Sequence, residues 1–356
     1  MLSSFTDLAR RKSLELFKYK MVLKIDVIGG GIIGFSCAVR IKEYYGSSAN
    51  VTVISDEFSP NTTGDGSAGL WGPYICGVTP AEKIIVWSKD MHDFCKELWL
   101  SGDAGEAGIC LMNSYRVTSS PEGLRTFWRD IVYGFRDLTK AELEKLGREH
   151  NKIYTDGGSF VTFTSEPIRL LPYLMKRFAK AGGNVVRQKV DNLYTFAKES
   201  DCDVIINCTG LGSKSCVPDS KMKSIRGQVI RVKANWVYNI FLDESDDGNY
   251  IIPNCETVVL GGTHQIDDYN RNPDMQDKEF ILKGCTKIIP GLAFADEVKE
   301  WVGLRPGRDS IRLENEVLDD GKIIIHNYGH GGSGVTLSWG CALDTLNLLK
   351  EAKSKL

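Results

Sequence analysis

Long apolar runs are missing from this chain, and with them any helix able to cross a bilayer, which needs about 20 consecutive apolar residues. The first 20 residues also lack the apolar segment of a secretory signal, which argues against secretion. None of the ten cysteines forms a C-x-x-C pair or a compact framework, so buried thiols in a reducing compartment are expected. The five histidines are scattered, and no metal site is expected from them. Charge of one sign is absent too: the formal net charge is −2, with Lys and Arg dispersed, leaving no footprint for nucleic acid or an anionic membrane. What remains is 356 residues, 42% of them hydrophobic, enough for a sizeable core and two or three structural units.

The organising stretch is residues 23–36. An apolar run over residues 25–28 meets Gly29-Gly30-Gly31-Ile32-Ile33-Gly34 and then Phe35-Ser36-Cys37-Ala38-Val39, which reads as strand, tight turn and helix. Gly29 permits the turn, Gly31 lets a pyrophosphate approach the main chain, and Gly34 lets helix and strand pack closely. The helix start offers free N–H groups and a positive dipole end to phosphates. A second strand, Val51-Thr-Val-Ile-Ser55, ends in Asp56, 22 residues after Gly34, where an acidic residue suits a ribose hydroxyl.

Beyond Asp56, residues 58–71 are rich in Gly, Ser and Thr. They read either as a surface loop or as a loop whose Thr62 and Thr63 hydroxyls close over a cofactor. Residues 81–100 carry Ile84, Ile85, Trp87, Met91, Phe94 and Leu98 at helical spacing, aromatics that read as core. Residues 109–163 break into short strands and one charged helix, 140–150, as material inserted into the cofactor unit. Helix 172–181 and strand 184–187 restore a βαβ rhythm, and Asp203-Val-Ile-Ile-Asn-Cys-Thr-Gly210 is a buried strand running into a turn. Residues 226–262 alternate apolar and polar, predicting an antiparallel, half-exposed sheet. A last strand and Gly-rich turn, Ile323-Ile-Ile-His-Asn-Tyr-Gly-His-Gly-Gly-Ser-Gly-Val335, leads into a helix over 335–350 with a second set of N–H groups.

Several motifs then coincide in order: Val27-Ile-Gly-Gly-Gly-Ile-Ile-Gly34, Ser55-Asp-Glu-Phe-Ser-Pro-Asn-Thr-Thr63, Asn207-Cys-Thr-Gly210, Arg226-Gly-Gln-Val229, Val302-Gly-Leu-Arg-Pro306 and Asn327-Tyr-Gly-His-Gly-Gly-Ser-Gly334. On these the chain resembles the FAD-dependent D-amino-acid oxidase family over residues 22–356. The resemblance implies an α/β fold, a Rossmann-like FAD-binding domain with an inserted, mainly antiparallel-sheet substrate domain. Residues 21–76, 160–225 and 300–356 would form the first domain and residues 77–159 and 226–299 the second, after an extension over 1–20.

The same resemblance implies that Gly29, Gly31, Ile32, Ile33, Gly34, Asp56, Glu57, Thr62, Thr63, Leu70, Val190, Thr209, Gly331, Gly334, Val335 and Thr336 hold FAD. Arg305 would grip the substrate α-carboxylate as a bidentate fork, which a lysine cannot do. Tyr250 would help hold the same carboxylate, with His264 and Gly332 completing the substrate site. The bland alternatives are a surface ion pair for Arg305 and a cross-strand aromatic for Tyr250. The family's reaction needs no side chain to take the α-proton: a neutral amine is aligned, hydride passes to the flavin, and positioning supplies the catalysis. The partners implied are a D-amino acid and O₂, and the products are a keto acid, ammonia and hydrogen peroxide.

Two departures bear on this. Glu57 stands where the family commonly has a basic residue, and His264 stands in Gly261-Gly-Thr-His-Gln265 where acidic-substrate members carry arginine. An acidic D-amino acid, D-aspartate or D-glutamate, is the expectation, with neutral D-amino acids as the alternative. The first 60 residues alone would also permit a pyridine-nucleotide dehydrogenase, and a non-enzymatic flavin-fold protein would require Arg305 and Tyr250 to be idle. The end of the chain, Ser354-Lys355-Leu356, is the tripeptide read by the peroxisomal import receptor, so the peroxisomal matrix is expected. The basic start, with Arg10-Arg11-Lys12, reads as a second targeting segment or as an extension before Met21.

Overall fold

Valine and isoleucine dominate the inner strands of the first sheet, as parallel strands covered on both faces require. In the computed structural model, which describes residues 22–245 and 248–354, these are β1 (Leu23–Gly30), β2 (Ala49–Phe58), β7 (Val204–Asn207) and β15 (Ile323–Tyr328). β6 (Asn184–Arg187) and β14 (Arg312–Val317) form the edges, giving the order β14-β15-β7-β1-β2-β6. All pairings are parallel except β14 on β15. The expected extension over residues 1–20, and Lys355 and Leu356, lie outside the described residues.

The second sheet has nine strands. Its path is β12 (Gln265–Ile266), β8 (Lys223–Lys233), β11 (Val258–Gly261), β10 (Tyr250–Pro253), β9 (Asn239–Asp243), β3 (Ile109–Thr118), β5 (Asp156–Ser165) and β4 (Tyr133–Asp137), with β13 (Asp296–Gly307) paired to β8. Pairing is antiparallel but for β3 with β9. The boundaries expected at 160, 226 and 300 therefore fall inside β5, β8 and β13, strands that each stay whole within this sheet.

The helix Ala81–Leu100, expected in the substrate unit, packs against the cofactor side instead. Its apolar stripe meets the helix Gly334–Ser354: Phe94 stacks on Trp339 at 3.9 Å, and Trp87 Nε1 donates to Asp344 Oδ2 at 2.7 Å. The helix Ile32–Tyr45 joins the same core, with Phe35 against Phe58 and Phe178.

Strand β8 corrects the expectation of a half-exposed sheet, because residues 224–232 are all buried. One face, with Ile230 and Val232, packs on Ile281 and Cys285 of the helix Met275–Ile288. The other, with Val229, packs toward Ala68, Leu70 and Trp301. Its Arg226, Gln228 and Arg231 are satisfied internally, as buried polar groups usually are, while the Ser224 hydroxyl has no partner among the described residues. Arg226, 1% exposed, donates from Nε to Asn270 O at 3.0 Å and from Nη2 to Asn272 O at 2.8 Å, and its Nη1 pairs with Asp277 and with Gln265 Oε1 at 3.0 Å.

Candidate active site

The carboxyl ends of β1, β2, β7 and β15 open into a cavity of about 1040 Å³, the place where a doubly wound sheet holds ligands. Gly29 turns the chain at the end of β1 with φ +118, a backbone state that side chains rarely adopt. A side chain there would also collide with the Cys208 carbonyl at the end of β7. Gly31 differs. A Cβ built on it meets nothing within 4 Å, and the residue lines the cavity, so this is free space held open beside the main chain. The helix Ile32–Tyr45 starts at that point with Ile32 and Ile33 also lining the cavity, so its first N–H groups suit a pyrophosphate. Gly34 does not line the cavity. Its Cβ would overlap the Gly29 carbonyl, so it acts through close packing of helix on strand.

Asp56 and Glu57 lie exposed at the end of β2, both on the cavity, with Val190 on the loop after β6 and the Gln188 N–H bonded to Ser55 O at 3.0 Å. Thr62, Thr209 and Thr336 line the cavity with their hydroxyls engaged by protein partners. Thr62 Oγ1 donates to Asp65 Oδ2 at 2.6 Å within a capping box, because Asp65 closes the short turn Thr63–Gly66. Thr209 Oγ1 lies 2.8 Å from Asn207 Oδ1 and 2.6 Å from Ser213 Oγ. Thr336 Oγ1 accepts the Gly72 N–H at 3.2 Å and lies 3.2 Å from the carbonyls of Leu70 and Gly72, clipping that loop to the last helix. Thr63, through a longer contact of 3.4 Å to Leu304 O, ties the same loop to the strand that carries Arg305. Gly331, Gly332, Gly334 and Val335 line the opposite wall, where Gly332 faces the ring of Tyr74.

On the second sheet, β13 and β10 bring Arg305 and Tyr250 to the same cavity. Arg305 Nη1 donates to Thr263 O at 2.9 Å, and the guanidinium lies over Gly227 of β8. Tyr250 lies over Gly261 and Gly262, its hydroxyl oxygen 2.7 Å from where a Cβ of Gly262 would stand. Burial raises the pKa of Tyr250 and of Tyr74, and the Arg305 charge opposes the rise in both, so the guanidinium acts on two phenols at once. Tyr74 escaped the sequence reading because nothing in its spacing marks it.

His264 is exposed and lines the cavity, next to Gln265 of β12. Arg271 also lines it and was not singled out by any motif. The buried Arg226 holds the carbonyls on both sides of Arg271, at Asn270 and Asn272, and holds Gln265 beside His264. One guanidinium thus fixes the two short segments that display His264 and Arg271. A different cation, Arg116, is neutralised in a bidentate pair with Glu244 at 2.6 Å for both bonds.

A chamber with free space at a glycine turn and a guanidinium on the same cavity suits an enzyme that holds a small acid against a bound dinucleotide, the layout of a flavin-dependent oxidoreductase. The chain belongs to that family: a family model described as FAD dependent oxidoreductase matches residues 24–348. FAD is accordingly its cofactor, and the pyridine-nucleotide alternative falls away. A D-aspartate oxidase of Homo sapiens is 36% identical over 332 residues, 92% of this chain and 95% of that protein. A D-amino acid oxidase of Dugesia ryukyuensis is 35% identical over 343 residues, 94% and 100% of the two chains. Among solved structures, a glycine oxidase from Geobacillus kaustophilus shares the fold with a TM-score of 0.74 at 16% identity, covering 92% of this chain and 95% of that one.

Proposed function

We propose that this protein oxidatively deaminates D-amino acids to 2-oxo acids, with a preference for acidic side chains. Support for the reaction comes from the relatives named D-aspartate oxidase and D-amino acid oxidase, which match nearly the whole chain. FAD bound along Gly29, Gly31 and the start of the helix Ile32–Tyr45 would supply the hydride acceptor and pass the electrons to O₂, giving hydrogen peroxide. The protein's own part is positioning. Arg305 receives the α-carboxylate with the donors that Thr263 O leaves free, and Tyr250, on β10 of the same sheet, fixes the carboxylate.

The observation that carries the acidic preference is Arg271, a cavity-lining guanidinium with no hydrogen bond or ion pair among the described residues. A second substrate carboxylate would give it a partner, and His264, on the other segment that Arg226 holds, is a further donor on the cavity. An arginine keeps its charge at every working pH, so this arrangement restores the fixed charge that a histidine lacks.

The test is kcat/KM for D-aspartate, D-glutamate, D-alanine and D-methionine over roughly pH 6 to 9. Acidic substrates are expected to lead, Arg271→Ala to remove most of that lead, and His264→Leu to remove a smaller part of it. If D-alanine or D-methionine wins at every pH, the acidic assignment fails and the neutral D-amino-acid reading replaces it.

We also propose that Ser354-Lys355-Leu356 directs the protein to the peroxisomal matrix through the import receptor, an address that suits a peroxide producer.

A further inference from the structure

Ten free cysteines are dispersed through this fold, and seven of them are buried. Cys110 and Cys255 are different. They are 145 residues apart in sequence, yet their sulfurs lie 3.6 Å apart, with Cys255 exposed and Cys110 partly so. Cys110 sits near the start of β3 and Cys255 in the turn between β10 and β11, so the pair bridges those elements past the start of β9. Another sulfur–sulfur approach, Cys37 with Cys208 at 4.0 Å, is sealed in the core.

We propose that Cys110 and Cys255 are a redox modification site, joined into a reversible disulfide by hydrogen peroxide or another hydroperoxide. In the first step the Cys110 thiolate attacks a peroxide oxygen; the O–O bond breaks, the sulfur is oxidised to a sulfenic acid, and hydroxide leaves. In the second step the Cys255 sulfur attacks that sulfenic sulfur; the S–S bond forms, the S–O bond breaks, and the departing hydroxide takes the thiol proton as water. Two thiols and one peroxide thus give one disulfide and two waters. A small thiol reductant reverses it by exchange.

The surroundings favour this order of events. The Cys255 thiol hydrogen-bonds Cys110 and lowers its pKa to about 7, while the proton is held more tightly on Cys255. The charged groups facing the pair are Glu166 and Arg169 at the start of the helix Pro167–Lys180 and Glu256 in the turn itself, where Arg169 pairs with both glutamates. Thr164, opposite Cys110 in the β3–β5 ladder, acts in the same direction. The turn is also braced: Asn254, next to Cys255, donates to Ala68 O at 3.0 Å and accepts from Arg231 Nη1 at 2.9 Å. Sulfenic acid formed on Cys110 therefore meets its resolving thiol in a supported turn.

The test is to treat the purified full-length holoenzyme with hydrogen peroxide added from outside, so that the result does not depend on which substrate it turns over. After alkylation and non-reducing digestion, the expected product is a Cys110–Cys255 cross-linked peptide, lighter by two hydrogens and restored by dithiothreitol. It should form ahead of oxidation at any other cysteine and faster as pH rises through about 7, the Cys110 value. Cys255→Ser should stop at a sulfenic acid on Cys110 that a cyclic 1,3-dione probe captures, and Cys110→Ser should give neither product. Absence of the cross-linked peptide, or labelling of Cys255 rather than Cys110 as the sulfenic acid, would overturn the proposal.

Discussion

The guanidinium of Arg305 rests on the bare α-carbon of Gly227, one strand away on β8, where any Cβ would overlap it. The same guanidinium is held by Thr263 O on its other side. Its direction into the cavity is therefore set by a missing side chain as much as by a hydrogen bond. Gly227→Ala is expected to push the fork aside, raising KM for every amino-acid substrate while leaving the protein yellow with FAD. Arg305→Leu removes the fork altogether, and loss of a charge-assisted pair in a desolvated site costs about 3 kcal/mol or more, roughly a hundredfold in kcat/KM. Near-normal kcat/KM in Arg305→Leu would remove the anchor assignment.

Two glycines of one motif should separate binding from folding. A Cβ on Gly31 meets nothing within 4 Å among the described residues, so Gly31→Val is expected to fold with a near-normal thermal midpoint yet purify without flavin absorbance. A side chain on Gly34 would strike the Gly29 carbonyl, which is backbone and cannot swing away, so Gly34→Val should lower the thermal midpoint or prevent folding. A stoichiometric FAD content in Gly31→Val would sink the first half of this pair.

The glycine turn was legible because its chemistry is local: spacing alone encodes a tight bend, a gap and a close packing contact. The helix Ala81–Leu100 was legible for the same kind of reason, since its apolar period announces a buried face. What that face packs against was not, because partner choice depends on Gly340 of the last helix, whose bare α-carbon lets Trp87 approach. In β8 the alternation of Arg226, Gln228 and Arg231 with apolar residues imitates a half-exposed strand, and only the internal partners of those polar groups reveal burial. Arg271 gave no signal at all. It is one cation in a polar run, and its place on the cavity follows from Arg226, 45 positions earlier, gripping the carbonyls at either side of it.

Removal of residues 354–356 should leave a fluorescently tagged protein spread through the cytosol rather than in puncta. Ser354 is the last residue of its helix and bonds Glu351 O at 2.8 Å, with no tie to the cavity, so the truncated protein should keep its flavin and its activity. Unchanged punctate localisation would point to the basic N-terminal segment as the address.

The acid limit of stability should trace partly to His92. This residue lies in the helix Ala81–Leu100, 3% exposed, with its ring 5.1 Å from Trp71 and from Tyr133 and 4.9 Å from Phe163, and its Nε2 has no hydrogen-bond partner among the described residues. Burial lowers its pKa to about 4, with Asp93 pulling weakly the other way. In the unfolded chain the value is about 6.5. Above that pH both states are neutral there and His92 contributes nothing to the pH dependence. As pH falls from about 6.5 the unfolded chain takes up a proton that the folded protein refuses, so stability drops by about 1.4 kcal/mol per pH unit, to a total of roughly 3 kcal/mol near pH 4. His92→Phe keeps an aromatic ring in the cage and removes the titration. Its thermal midpoint should therefore fall less than the wild type's between roughly pH 7 and pH 4.5, the window in which His92 titrates only in the unfolded chain. Carboxylates protonating in the same range act equally on both proteins, so the difference between the two slopes isolates the histidine; parallel slopes would mean that His92 is charged inside its aromatic cage.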